Sequence, residues 1–309
     1  MAERELRQVL IPEGASGERI DVFLSKVLGI SRTLVTELIE KDEVTLKGKG
    51  VSKSQKVQTG EKFEILLPNE KLSGQLNPTP VADLKIVYVD NDLIVVDKPV
   101  GVAAHPSPGW EGPTVNGAII AAGYEINTSG VAERQGIVQR LDVGTSGLMV
   151  VTRTEFAYSQ MKEQFRNRSV KKIYHAMIQG HMDPSEGTID APIDRHPRDD
   201  YKFAVTANGK PSVTHYRSLE FFPAVTLLEV ELETGRTHQI RVHFSALRHP
   251  LVGDLIYGAD HTLAEKLKIT RPWLHACQLE FRHPRTGELL TLNSSYPADL
   301  AKTLEILRR

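Results

Sequence analysis

Residues 137–151 read IVQRLDVGTSGLMVV, with Asp142 at the end of a short apolar run and two residues after Arg140. Ile137, Val138 and Leu141 precede the acid, and Leu148, Met149, Val150 and Val151 follow a Gly-Thr-Ser-Gly turn. A solvated Asp needs no apolar approach, and a core strand does not accept an unpaired carboxylate. Gly144 and Gly147 permit a positive φ or a close backbone approach, so the acid is expected at the lip of a packed strand-turn-strand. A turn Asp bonded to its own backbone is the plain alternative. KKIYHAMIQG sets Tyr174 in an apolar strand right after Lys171 and Lys172, where a half-buried strand tyrosine would be unremarked by itself. GRTHQIRVH crowds Arg236, His238, Arg241 and His243 among Ile240 and Val242. A regular strand puts Arg236 and His238 on one face and Arg241 and His243 on the other. A helix opened by Gly235 changes that spacing, and both readings stay open.

One carboxylate, one phenol and one guanidinium suggest a chemistry. An Asp near a fixed Arg is favoured in its charged form. With no second carboxylate and no metal, it suits a nucleophile better than an acid. A Tyr can stack on a flat base and can move a proton. Two basic clusters accompany them. Residues 44–62 carry Lys47, Lys49, Lys53, Lys56 and Lys62 against Glu61, and residues 160–175 carry Lys162, Arg166, Arg168, Lys171 and Lys172 against Glu163. Such patches attract phosphate whatever the total charge, although a solvated Lys-rich face is the bland reading of each. The combination points to covalent chemistry on a nucleobase that has left its stack.

The rest of the sequence narrows the field. Its 309 residues suggest about two domains. A net charge of −1 argues against a generally basic nucleic-acid binder. The lone cysteine, Cys277, cannot form an internal disulfide, which fits a reducing, cytoplasmic setting. MAERELRQVLIPEG is charged throughout and does not read as a secretory signal, and no apolar run approaches the roughly 20 residues of a membrane span. There is no GxxxxGK[ST], no GxGxxG after a strand, no HExxH, no GxSxG and no Cys/His cluster at zinc spacing. No cofactor or metal is expected, so any catalysis rests on ordinary side chains.

These groups need a scaffold. ERIDVFLSKVL places Ile20, Phe23, Leu24, Val27 and Leu28 on one helical face, and Gly29 breaks it. Ser31 can cap a second helix that buries Leu34, Val35, Leu38 and Ile39. VTLKGKGV reads as strand, Gly turn and strand, and GEKFEILLP as a strand alternating Phe63, Ile65 and Leu67. This predicts a small domain over 1–75. NEKLSGQLNPTP lacks periodicity, and a linker is placed at 76–83. From 84 to 309 strands alternate with loops and few long helices: LKIVYVD, LIVVDKP, KKIYHAMIQG, PSVTHYRSLEFF and AVTLLEVELETG as strands, PTVNGAIIAAGY and TEFAYSQMKEQFRN as helices. The fold class is α+β around a mixed sheet.

The motifs resemble a known family in order. GIVQRLDVGTSGLMVVTRT is similar to the HRLD-type motif of the RluA family of pseudouridine synthases. VDKPVGVAAHP resembles its first motif, and KKIYHAMIQG, GRTHQIRVH, HPLVGDLIYG and LHACQLEFRHPRTGE its later ones. RHPRDDYKFAVTANGKPSVTHYR resembles the subgroup that contains the large-subunit rRNA enzyme RluD, and GERIDVFLSKVLGISRTLVTELIEKDEVTLKGK resembles an S4 RNA-binding domain.

The resemblance implies an S4-type domain followed by a catalytic domain on a mixed, largely antiparallel sheet with flanking helices. It implies that specific uridines of 23S rRNA become pseudouridine without a cofactor, with RNA as the partner; nothing in the sequence demands a second subunit or a membrane, so a monomer is expected. It makes Asp142 the nucleophile, Arg241 its ionic partner, and Tyr174 the ring packed on uracil. Arg140 would hold the flipped nucleotide. Gln139 stands where the family usually has His; it can hydrogen-bond but cannot carry a proton near neutrality, and activity is expected to survive. Arg32, Lys47, Lys49 and Lys53 would track RNA phosphates from the N-terminal domain. A non-catalytic ribosome-assembly factor and the same chemistry on tRNA are the alternatives.

Overall fold

The computed structural model describes residues 4–12, 16–28, 32–68, 76–107, 110–127 and 134–309. The chain divides into two compact units, one containing Asn77 and the described residues before it, the other Pro78–Asn127 and Gly136–Arg309. Gly29, Ser31 and residues 69–75, expected as helix stop, helix cap and loop, lie outside the described residues.

The first unit runs β1 (Arg4–Leu10), α1 (Ile20–Leu28), α2 (Arg32–Glu40), β2 (Val44–Leu46), β3 (Lys49–Gly50) and β4 (Lys62–Pro68). Its four strands form an antiparallel sheet in the order β1-β4-β2-β3. Both helices bury the faces their periodicity marks: Ile20, Phe23 and Leu24 from α1, and Val35, Leu38 and Ile39 from α2, against Val44, Phe63, Ile65 and Leu67. Val27 differs from expectation and is 54% exposed, while Leu28 beside it packs partly buried against the core. The β2–β3 turn holds Lys47 at φ 51° and Gly48 at φ 72°. Positive φ at both central residues is the tight hairpin geometry that matches strand twist. Strand β1 was not expected. Leu6 and Leu10 are exposed while Val9 is buried, so apolar residues lie on both faces and hide the alternation.

The second unit begins with β5 (Lys85–Val89), β6 (Leu93–Lys98), α3 (Val115–Ala121), β7 (Ser146–Thr152), α4 (Glu155–Arg166) and β8 (Lys171–Gln179). It continues with β9 (Glu186–Asp190), β10 (Ile193–His196), β11 (Asp199–Val205), β12 (Val213–Phe221), β13 (Val225–Leu232) and α5 (Gln239–Ala246). It ends with α6 (His261–Lys266), β14 (Leu274–Arg282), β15 (Leu289–Asn293) and α7 (Ala298–Leu307). Nine strands form one sheet in the order β5-β6-β7-β14-β8-β13-β12-β9, with β15 also on β14. The β7–β14 pair is parallel and the other pairs are antiparallel, so the sheet is mixed and largely antiparallel as expected. Strands β10 and β11 form a separate hairpin.

Two apolar layers hold this sheet. Ala157 and Met161 of α4 pack with Leu93, Val95, Leu148, Val150, Leu279 and Phe281. Leu300 and Leu304 of α7 and Ala264 near α6's end pack with Met177, Val225, Leu227 and Trp273. Each fully buried aliphatic side chain contributes about 1.5–3 kcal/mol, so these layers make the sheet a rigid mount. Helices α3 and α4 start where Thr114 and Thr154 accept from Gly117 and Ala157 N–H through their hydroxyls, both at 3.2 Å.

Candidate active site

Asp142 lies in the loop that enters β7. The segment before it is not the strand its apolar residues suggested: Ile137 makes a single bridge to Val151, and the chain from there to Asp142 is irregular. The loop is fastened by its backbone. Thr145 N–H donates to Asp142 C=O at 3.0 Å, and Gly101 N–H to Val143 C=O at 2.9 Å. Arg271 Nη1 donates to Gly144 C=O at 3.3 Å. Gly147 sits at φ 116°, and a Cβ there would lie 2.3 Å from Ala276 C=O. A glycine is therefore required where β7 meets β14. Gly144 has no such constraint, since its Cβ would only touch Pro272 at 3.4 Å.

Asp142 keeps 27% of its side chain exposed and faces two cationic or potentially cationic groups. Arg241 Nη1 donates to Oδ2 at 3.4 Å, and His238 Nε2 lies 3.7 Å from the same oxygen. Arg241 belongs to a helix and not to a strand: α5 starts at Gln239, after His238 in the left-handed region. Its opposite edge is locked to Asp254, with Nε to Oδ2 at 2.7 Å and Nη2 to Oδ1 at 2.9 Å, and both side chains are nearly fully buried. The guanidinium also lies over the Tyr257 ring at 4.8 Å. Burial opposes its charge, but the Asp254 hydrogen bonds and the Asp254 and Asp142 fields outweigh that and hold Arg241 even more firmly protonated.

Tyr174 is buried in β8, two strands from the acid. Its register partner Ala276 is also the partner of Gly147, so the three residues form a row across β8, β14 and β7. Burial first, and then the Asp142 charge, raises the Tyr174 pKa, so the ring remains a phenol near neutrality. Arg140 is exposed and donates from Nη2 to Thr237 Oγ1 at 2.7 Å. Gln139 is half-buried, with Nε2 3.5 Å from Leu148 C=O. Asp142 and Arg241 are thus in contact, Tyr174 is within the field of the acid, and Arg140 is tied to the residue beside His238.

Other residues of the site were not assigned from sequence. Asp254 and Tyr257 lie within HPLVGDLIYG, where an acid between apolar neighbours was the available signal. Lys98 ends the apolar run of β6 and is fully buried. Its Nζ donates to Pro99 C=O at 3.0 Å and Val102 C=O at 2.8 Å. Burial pushes its pKa down to about 7, against a pull upward from Asp142 and with a smaller push downward from Arg271. His243, by contrast, is a satisfied core residue, between Thr214 Oγ1 and Ala191 C=O at 2.9 Å each.

The basic stretch over 160–175 is largely committed within the protein. Arg166 pairs with Glu163, Arg168 with Glu233 at 2.9 Å, and Lys171 with Glu231 at 3.9 Å. Lys172 is buried, which with Arg168 pushes its pKa down to about 8 against Glu231 and Glu233. Lys162, Arg166, Arg168 and Lys171 stay exposed, but the last three face carboxylates, so the local positive charge is smaller than the sequence suggests. In the first unit, Lys47 and Lys49 are exposed, Lys53 Nζ lies 3.5 Å from Glu40, and Arg32 pairs with buried Asp21 at 2.7 Å while staying 58% exposed. Among the described residues, no group of three or more His, Cys, Asp or Glu is placed to hold a metal ion, and no helix is long and apolar enough to cross a membrane.

Comparison with known proteins gives this geometry a family. Residues 92–246 match the RNA pseudouridylate synthase family. An uncharacterized RNA pseudouridine synthase of Mycobacterium bovis is 53% identical over 302 residues, 98% of each chain. A ribosomal large subunit pseudouridine synthase D of Nitrosomonas europaea is 38% identical, covering 97% of this chain and 88% of that one. Human RNA Pseudouridylate Synthase Domain Containing 4 superposes with a TM-score of 0.57 at 27% identity, over 72% of this chain and 93% of that one. The chain belongs to the RNA pseudouridylate synthase family, within its RluA branch, and is an isomerase that acts on RNA.

Proposed function

We propose that this enzyme converts specific uridines of large-subunit ribosomal RNA into pseudouridine, using Asp142 as the nucleophile on a nucleotide turned out of its stack. Likeness to enzymes named for the large ribosomal subunit supports the choice of RNA. The observation that carries the mechanism is the partly exposed Asp142 carboxylate beside Arg241, whose other edge is fixed by Asp254. A carboxylate steadied this way is both oriented and accessible, as an attacking group requires. The carboxylate bonds to C1′ as the N1–C1′ bond breaks, the freed uracil turns while held, and C5 bonds to C1′ as the carboxylate leaves; C5 loses its proton and N1 gains one, so no atom is gained or lost overall.

Tyr174 packs its ring on the uracil and assists removal of the C5 proton. Arg140 holds the extruded nucleotide from the exposed side. Gln139, bonded toward the β7 backbone, supports the loop, so the absence of a His there leaves activity intact. The first unit serves as an S4-type module over residues 1–75, joined to the catalytic domain through 76–83. Arg32, Lys47, Lys49 and Lys53 there meet phosphate, and the enzyme works in the cytoplasm as a monomer.

The test is pseudouridine mapping of total RNA with and without the gene, complemented by wild type or Asp142→Asn. Large-subunit sites that vanish on deletion and return only with wild type support the reading. Sites lost from tRNA instead would redirect the substrate, and full rescue by Asp142→Asn would end the role given to the acid.

A further inference from the structure

We propose that His238 is a positioning residue: it presents its Nε2–H to Oδ2 of Asp142, held in that tautomer by Tyr257 and the β10–β11 hairpin, so that Oδ1 is the oxygen that attacks. This rests on the reading of Asp142 as the nucleophile.

The argument follows the hydrogen atoms. Phe203 N–H on β11 donates to Tyr257 Oη at 3.0 Å. A backbone N–H can only donate, so the phenol oxygen accepts there and its single hydrogen is available elsewhere. His238 Nδ1 lies 2.8 Å from that oxygen. Nδ1 is then the acceptor, and a neutral imidazole carries its proton on Nε2. Burial favours the neutral ring, against the pull of Asp142. Nε2 is the atom that faces Asp142 Oδ2, at 3.7 Å. Donation therefore runs one way, from the hairpin backbone through Tyr257 to His238, whose Nε2–H then faces the carboxylate across 3.7 Å.

The ring is held from two further sides. Phe203 and Tyr257 meet it edge-on, each at 5.6 Å between ring centres and at 77° and 86°. His238 adopts φ 57° and makes no side-chain cap bond to the helix that follows, so this uncommon backbone aims the imidazole at the site and not at α5. Arg241 Nη1 lies 3.4 Å from the same Oδ2. Both donors thus address one oxygen, and among the described residues Oδ1 has no hydrogen bond from a side chain or backbone. Separations of 3.4 and 3.7 Å are long and would shorten once substrate excludes water, as catalytic contacts often do. Because β10–β11 is a hairpin apart from the main sheet, RNA that displaces or seats it would reach Asp142 through this chain of donors.

The experiment measures pseudouridine formation by full-length wild type, Asp142→Asn, His238→Gln, His238→Asn, Tyr257→Phe and the Tyr257→Phe/His238→Asn pair on RNA from a strain lacking the gene. A Gln amide nitrogen reaches near the imidazole Nε2 position, whereas an Asn amide stops near Nδ1. His238→Asn should lower kcat by about 10–100-fold with KM changed less than about twofold, and His238→Gln should recover most of that loss. Tyr257→Phe should lower kcat about tenfold, and the pair should lose no more than His238→Asn alone, because both act through one path. Thermal melts identify any variant that loses turnover by unfolding, and for such a variant the Gln-versus-Asn contrast is measured below its melting range. Equal losses for Gln and Asn, a full wild-type kcat for Asn, or an effect confined to KM would overturn the positioning role. If wild type itself forms no pseudouridine, the proposed function fails and this inference falls with it; with wild type active, the variants judge His238 alone.

Discussion

Replacing Arg241 with Met separates what this side chain does for the fold from what it does for Asp142. The guanidinium has two partners of unequal weight. Asp254 is 1% exposed and takes two charge-assisted bonds at 2.7 and 2.9 Å, while Asp142 is 27% exposed and takes one at 3.4 Å. Arg241→Met strands Asp254 as a buried, uncompensated carboxylate, and breaking a buried pair this way costs about 3–5 kcal/mol. For a unit of this size that is a fall in Tm of roughly 6–20 °C. Adding Asp254→Leu removes the stranded charge and fills its space, and apolar replacement of a whole buried pair is often neutral or stabilising. The double variant should therefore regain most of that stability. Its kcat should stay about 100–1000-fold below wild type, since the electrostatic support of Asp142 is still missing. Urea or thermal unfolding and single-turnover pseudouridine formation read the two effects separately. Turnover that returned with stability in the double variant would refute the claim that Arg241 acts on Asp142 at all.

Three further outcomes follow from the same geometry. Gly147→Ala should destabilise the catalytic unit by about 1–3 kcal/mol or more, through its φ of 116° and the clash with Ala276 C=O, while Gly144→Ala should be nearly silent in thermal melts. Lys98, pushed down to about 7, makes stability rise with pH from about 7 toward the ordinary lysine value, because there the unfolded chain binds a proton that the folded chain does not. Urea unfolding of Lys98→Met across that window should show a flatter rise than wild type, and an equal slope would remove Lys98 as its source. Changing Lys47, Lys49 and Lys53 together to Ala should reduce the salt slope of RNA binding by up to about 0.7 for each phosphate no longer neutralised, measured by titration at several ionic strengths. An unchanged slope would take that turn off the RNA.

Much of the scaffold was legible because its periodicities are regular. Ile20, Phe23 and Leu24 bury as a helical face should, and Phe63, Ile65 and Leu67 as one strand face. What sequence could not decide was set by long-range pairing. GRTHQIRVH carries a pattern compatible with strand or helix, and the left-handed turn at His238 settles it as a helix from Gln239. The basic run over 160–175 looked unopposed because its acidic partners Glu231 and Glu233 come from β13 and the loop after it, some sixty residues away. Asp254 was hidden for the same reason: a buried acid is intelligible only once its Arg is known.

The placement of the site follows from one exception in the sheet. Among its pairs, β7–β14 alone runs parallel, and it inserts β14 between β7 and β8. That insertion puts Gly147, Ala276 and Tyr174 in one row, with Asp142 on the loop just before it. Neighbouring strands are about 4.8 Å apart, so the phenol's strand lies about 10 Å from the acid's strand, a span that one nucleobase with its sugar can bridge. The close approach at Gly147 is what allows the parallel pair to form, since any Cβ there would meet the Ala276 backbone. Gly147 therefore does more than permit a turn after Asp142. It sets the spacing between the strand entered from Asp142 and the strand that carries Tyr174.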